Sequence, residues 1–421
     1  MALLILCSTC FGFAQSDSTV YKKRVLESAE IDLLFSYYGQ DGNNAAVTGG
    51  EGTEKLTDAT SSIVVSIPIN PDDVLTADVG ISAYSSASSS NVNPFDGGPG
   101  TISPFNASSG ASQSDALVHL NPTYSHSSDS RNSVWSCNAY IASEYDYSSI
   151  GFGGGYLGLF NEKNTELSIS GNVFLDKWNP QYPTELREGF FDSRTTGTGT
   201  YSSSFTPFAD INRNSYSLSV GLSQILGKKV QGSIFADAVI QNGLLSTPFQ
   251  RVYFGDVNDF FIDEFQLADD IERLPDSRLK IPIGARLNYF LSDRFVVRSY
   301  YRFYYDDWGI TAHTANLEIP IKLSDSFAIY PLYRYYTQSA SDYFYEKEGA
   351  VSTLDFYTSD YDLSAFDAHQ YGMGFRYKDI FTKSKIWMFG LKTIDLRINK
   401  YDRSNGLSSF IATLGTTFVA N

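Results

Sequence analysis

The chain is expected to be all-β: a transmembrane antiparallel β-barrel of about 16 strands, with long extracellular loops and short periplasmic turns. Its C-terminal segment, its apolar/polar alternation and its composition predict this. At the C-terminus, Phe410, Ala412, Leu414, Thr416 and Phe418 share one strand face. Thr413, Gly415 and Phe418, followed by apolar Ala420, match the spacing of the signal read by the barrel assembly machinery, an expected partner. Alternation alone does not name the solvent, and a terminal edge strand of a soluble sandwich would share it.

The composition narrows the choice. Tyr and Phe number 29 and 30, against 42% hydrophobic residues overall and no apolar run long enough for a spanning helix. A chain that is polar on average yet rich in aromatics suits an apolar outer wall around a wet lumen. The formal net charge of -16 argues against nucleic acid, which needs a basic footprint.

At the N-terminus, residues 1–14 are apolar and end in Gly12-Phe13-Ala14, the pattern of a secretory signal peptide cut after Ala14. The absence of a positively charged start suggests a late-assigned initiation site. Residues 15–26 then form a short periplasmic segment and 27–421 the barrel. Cys7 and Cys10 fall within the signal, so Cys137 alone remains and no internal disulfide forms.

Strands are expected at 27–38, 60–69, 74–84, 115–125, 133–146, 149–160, 165–177, 214–226, 230–242, 278–291, 295–306, 311–323, 327–338, 366–378, 385–399 and 407–420. In the first, Ala29, Ile31, Leu33, Phe35 and Tyr37 oppose Glu30, Asp32 and Ser36. In the third, Leu75, Ala77, Val79, Ile81 and Ala83 alternate with Thr76, Asp78 and Ser82, after a turn from Asn70 to Asp73. Strand 385–399 changes phase near Lys392, as a bulge would make it do. Short turns at 126–132, 161–164, 227–229, 292–294, 324–326 and 379–384 fall on the periplasmic side. The long connections 39–59, 85–114, 178–213, 243–277 and 339–365 fall on the other. Tyrosine clusters near strand ends, such as Tyr37-Tyr38, Tyr300-Tyr301 and Tyr335-Tyr336, suit interfacial girdles. The dozen mature residues before the first strand leave no room for a plug domain, which excludes a TonB-dependent receptor.

Four stretches carry a resemblance: VLESAEIDLLFSYYGQDGNNAAVTGG, GISAYSSASSSNVNPFDG, FYYDDWGITAHTANLEIP and FYTSDYDLSAFDAHQYG. The chain resembles an uncharacterised bacterial outer-membrane β-barrel family known as a domain of unknown function, over nearly all of the mature sequence. The resemblance implies an outer-membrane location and transfers no catalytic residue. It also implies neighbours in the envelope, a flavin transferase acting on proteins and a thioredoxin-like protein.

If the apolar phase faces lipid, the other phase lines the lumen. The first nine strands then supply Glu30, Asp32, Asp78, Asp115, Glu144, Glu166, Asp176 and Asp237. Strands ten to fourteen supply Lys280, Arg286, Arg298, Arg302, Lys322, Arg334 and Arg376, with Glu318 the acidic exception. An acidic wall facing a basic wall orients charged solutes in a weakly screened throat, whereas pairing across the pore would brace it shut. Arg286, Arg298, Arg302 and Arg334 are expected on one patch at the narrowest point, beside Tyr300 and Tyr304, and either hydrated, matched by acids such as Glu30 or Asp78 across the pore, or occupied by an anionic solute. A porin-like channel or transporter for small hydrophilic or charged solutes follows. The alternative is a non-enzymatic surface-binding, envelope-assembly or redox-associated component.

Catalysis has little support. His119 falls in the lumen among Ser and Asp residues, so a Ser-His arrangement is conceivable there. His313 and His369 fall on the lipid phase near the outer rim, and Cys137 reads as a small outward-facing hydrophobe. In the loops, Asp41 to Asn44 and Asn91 to Gly97 place oxygen ligands close together, but neither meets the alternate-position rule of a calcium loop. No cofactor is expected.

Overall fold

The computed structural model describes residues 24–86 and 114–420. Sixteen long strands run in chain order as nearest antiparallel neighbours. They are β1 (Glu30–Asp41), β2 (Leu56–Pro68), β3 (Asp73–Ser86), β4 (Ser114–Ser127), β5 (Ser133–Ser143), β6 (Tyr147–Phe160), β7 (Thr165–Trp178) and β8 (Asn212–Gly227). They continue with β9 (Val230–Gly243), β10 (Ser277–Phe290), β11 (Val296–Asp306), β12 (Thr311–Glu318), β13 (Phe327–Gln338), β14 (Phe366–Lys378), β15 (Phe389–Arg403) and β16 (Ser408–Ala420). Closure comes from β16 pairing back onto β1, with Glu30 opposite Val419 and Asp41 opposite Ser408. Hydrocarbon offers no hydrogen-bond partner to a free strand edge, and closure leaves none. The signal-peptide expectation and the second calcium candidate, 91–97, lie outside the described residues.

The outer wall inverts the pattern of a water-soluble protein. Phe35 is 59% exposed, Phe152 57% and Ile234 62%, all on the outward phase of their strands. Such a continuous apolar surface is stable only against lipid. Of each tyrosine pair only one member reaches this surface, because neighbours in a strand point opposite ways. Tyr37 and Tyr301 are outward and exposed, while inward-phase Tyr38 bonds Gln40 and Tyr304 bonds Asp306.

Most strand boundaries fall within a few residues of expectation. The largest difference is at β15, expected over 385–399. Lys385–Ile386 instead forms a short strand folding back onto Phe389 and Gly390, and β15 continues to Arg403. The register slips between Leu391 and Thr393. This bulge keeps Lys392 in the lumen, 2.5 Å from Glu30, and returns Ile394, Leu396 and Ile398 to the lipid phase. At β12 the ladder breaks at Ile319-Pro320, since proline has no N–H to donate, and resumes over Ile321–Lys322.

The buried apolar core lies in the extracellular loops. Loops 179–211, 244–276 and 339–365 pack together as a cap. One cluster joins Phe260, Ile262, Phe265 and Leu267, and a second Leu186, Tyr253, Ala268 and Ile271. A third joins Val252 and Phe254 to Ala350 and Tyr357. Thr195–Gly197, Phe260–Ile262 and Phe265–Gln266 form a small sheet of their own. The β1–β2 loop closes against the same unit, for a Cβ on Gly49 would lie 2.6 Å from the Tyr253 ring. That loop leaves β1, while Tyr253 belongs to the loop leaving β9, eight strands away and so on the opposite wall. The cap therefore spans the mouth.

Candidate functional site: a basic cradle in the lumen

A lumen cavity of about 620 Å³ is lined by five arginines, Arg286, Arg298, Arg302, Arg334 and Arg397, and one carboxylate, Glu318. Strand register assembles it. Arg286 lies opposite Tyr300, Tyr300 opposite Asn316, and Asn316 opposite Arg334, a single row across β10 to β13. Two residues along β11 in either direction, hence on the same face, stand Arg298 and Arg302. The four arginines expected on one patch are thus together, with Tyr300 among them. Tyr304 sits higher on β11, bonded to Asp306.

These arginines divide into two groups. Arg298 and Arg397 both hold Glu318, at 2.8 and 3.0 Å, and Arg397 also reaches Asp395 at 3.2 Å. Asp395 in turn pairs with Arg376 at 2.7 Å, and Arg376 lies over the Tyr330 ring. Arg376 therefore braces the wall beside the cavity and does not line it. Arg286, Arg302 and Arg334 have no carboxylate partner among the described residues, and the Nε atoms of Arg302 and Arg334 are buried without an acceptor. Asn288 and Asn316, in the same cavity, each bury an amide oxygen without a donor.

Sequence reasoning missed Arg397, Asp395 and Asp306. The first two lie beyond the Lys392 bulge, where the expected phase had already slipped. The alternation of Asp395 and Arg397 with Leu396 and Ile398 was the available signal. Asp306 ends β11, where it binds Arg278 at 2.5 Å.

Of the three alternatives for the arginines, pairing with acids across the pore is not the one the described residues adopt. Glu30 is taken by Lys392, and Asp32 accepts from Thr417 at 2.5 Å. Asp78 accepts from Ser62 and stands 3.6 Å from His119. Glu144, at the extracellular rim, accepts from the Tyr84 hydroxyl. Glu166 lies on the lumen phase of β7, opposite Ser223. Short-range strand neighbours win because a 16-stranded cylinder holds its two walls too far apart for direct pairing.

Among the described residues no Ser-His dyad forms at His119: the Ser62 hydroxyl is directed to Asp78 and the imidazole stacks on Tyr140. On the outer wall, His313 and His369 bond the hydroxyls of Tyr301 and Tyr333 at 2.7 and 2.9 Å. Cys137 is exposed on the same outward phase as Trp135. Asp41 binds the Gly42 amide, Thr53 and Lys55 at the base of its loop. Among the described residues, no group of three His, Cys, Asp or Glu is placed to hold a metal ion.

In the cap, Glu185 and Arg251 form a fully buried pair at 2.6 Å, with Arg251 over the Phe265 ring. Glu272, also buried, accepts from the Thr247 amide and hydroxyl and from Thr358, tying loop 244–276 to loop 339–365. Burial pushes Glu272 up to about 7 and Asp269 up to about 6. Burial, then the Asp362 and Glu272 carboxylates, raise Asp360 well above the carboxylate range.

Closed strands, a lipid-facing apolar wall and a charged interior define an outer-membrane β-barrel. The chain belongs to the family described as "Protein of unknown function (DUF3570)", which matches residues 2–408. No curated protein matches it. Similar solved structures include a bacterial polysaccharide outer membrane secretin, with TM-score 0.45 and 10% identity, covering 94% of this chain and 99% of that one. A Pseudomonas aeruginosa FadL homologue has TM-score 0.41 and 9% identity, covering 94% and 90%. A BenF-like porin from Pseudomonas fluorescens Pf-5 has TM-score 0.39 and 8% identity, covering 94% and 99%.

Proposed function

We propose that the barrel is a porin-like channel or transporter for small hydrophilic or charged solutes, with the cap controlling entry. The supporting observation is the lumen cluster of Arg286, Arg302 and Arg334 without carboxylate partners among the described residues. A brace would pair such charges. Left facing the water of the lumen, they attract anions and repel cations. No enzymatic step is assigned.

Planar-bilayer recording tests this reading. Wild-type protein should carry current, with a reversal potential in a salt gradient that shows anion preference. Arg298→Ala with Arg302→Ala should reduce that preference. No current at any voltage, or unchanged conductance and selectivity in a folded variant, would remove the channel reading.

The cap supports a second reading, a surface-binding or envelope-assembly component, because loops with their own buried core present a defined outer surface. The flavin-transferase and thioredoxin-like neighbours implied by the family resemblance belong with this reading. Engagement of the assembly machinery by β16 fits either.

A further inference from the structure

The lumen cavity carries unmet hydrogen-bonding capacity of both kinds. Arg302 and Arg334 each bury an Nε–H without an acceptor, and Asn316 buries an amide oxygen without a donor. Like-charged guanidinium groups on one patch repel, and water in the lumen hydrates them without supplying negative charge. An anion that also carries hydroxyl groups supplies acceptors, donors and negative charge together.

The cavity also has an apolar flank. Phe235 and Tyr300 stack with ring centroids 5.7 Å apart and planes 10° from parallel. Gly284, opposite Phe235 across β9 and β10, makes room: a Cβ there would lie 2.2 Å from the Phe235 ring. A strand interior ordinarily disfavours glycine, so its use here is consistent with close approach of the ring to the wall.

We infer that this cavity is a binding site for a small organic polyanion that also carries hydroxyl groups, such as a hydroxy-polycarboxylate or a sugar phosphate. Arg286 and Arg334 stand three strands apart in one row, roughly 14 Å at the backbone, with Arg302 to one side. Long guanidinium side chains projecting inward converge on an anion with acidic groups at both ends and pair with them bidentately. The hydroxyls donate to Asn316, and the carbon skeleton rests against Phe235 and Tyr300. A volume of about 620 Å³ is that of a small-molecule site and far exceeds a single inorganic ion. The inference deepens the proposed channel and rests on its wet lumen, but it does not require conduction.

Titration calorimetry on the full barrel in detergent micelles tests it with citrate and glucose 6-phosphate as probes and glucose as the neutral control. At least one acidic probe should bind with Kd below about 1 mM, and glucose should not. Which acid binds tells carboxylate from phosphate recognition. Arg302→Gln with Arg334→Gln should weaken binding about tenfold or more per arginine lost, so about 100-fold together. Arg302→Lys should weaken it less, and Lys163→Gln, at a periplasmic turn, not at all. Heat-modifiable gel mobility verifies that each variant is folded. Failure of the wild type to bind either acid, or equal binding by the folded double variant, overturns the inference. Binding without bilayer current removes only the channel reading.

Discussion

Removing the Glu185 carboxylate should open the cap while leaving the barrel intact. Glu185 and Arg251 are 0% and 1% exposed, and Arg251 Nε and Nη2 reach the two carboxylate oxygens at 2.6 and 3.3 Å. Glu185→Ala leaves a guanidinium buried among Tyr253, Phe265 and Ile271 with no counter-charge. Breaking such a pair costs about 3–5 kcal/mol, because the remaining ion keeps its desolvation penalty and loses its compensation. The cap has three small clusters rather than one large core, so its local opening free energy is at most comparable with that loss. The open population should rise by about two to four orders of magnitude. Limited proteolysis of proteoliposomes, with cleavage mapped to 244–276, reads this directly. Bilayer current should rise in parallel. Glu185→Leu with Arg251→Met should restore protection, since an apolar pair of similar volume needs no compensation. If Glu185→Ala is as resistant as the wild type, with unchanged current, then neither the pair nor the cap controls access.

Two further outcomes test other parts of the structure. Glu272 titrates near 7 in the folded cap against an ordinary 4.5, so its contribution is complete below 4.5 and is lost as pH rises through 7. Protease resistance of the cap should therefore fall between roughly pH 5 and pH 8, and Glu272→Gln should flatten the profile. Equal pH dependence in that variant would locate the sensitivity elsewhere. Cys137 faces lipid on the outside of β5, so in vesicles a membrane-soluble maleimide should label it and a large charged maleimide should not. Labelling by the charged reagent would place this wall in water.

The sequence by itself determined the barrel. Period-two alternation with turn residues between strands specifies which face of each strand meets lipid, and that information is local. It sufficed for 16 strands, for the outward placing of Cys137, His313 and His369, and for grouping Arg286, Arg298, Arg302 and Arg334, which depends only on neighbouring strands and their phase. Pairing between charges was left to the tertiary structure. Asp395 and Arg397 entered the arginine network because a single extra residue at Lys392 shifts every later side chain of β15, and sequence alternation locates such a slip only loosely. Glu30 and Asp78 met local partners because curvature holds the opposite wall out of reach. The cap was legible least of all. Phe260-Phe261-Ile262 and Phe265 to Ile271 have no helical or strand period, and their burial depends on loops 179–211 and 244–276 packing on one another. The contact between residues 49 and 253 exists only once the cylinder has closed and brought loops from opposite walls to one end, and that between 185 and 251 only once two loops far apart in sequence have folded together.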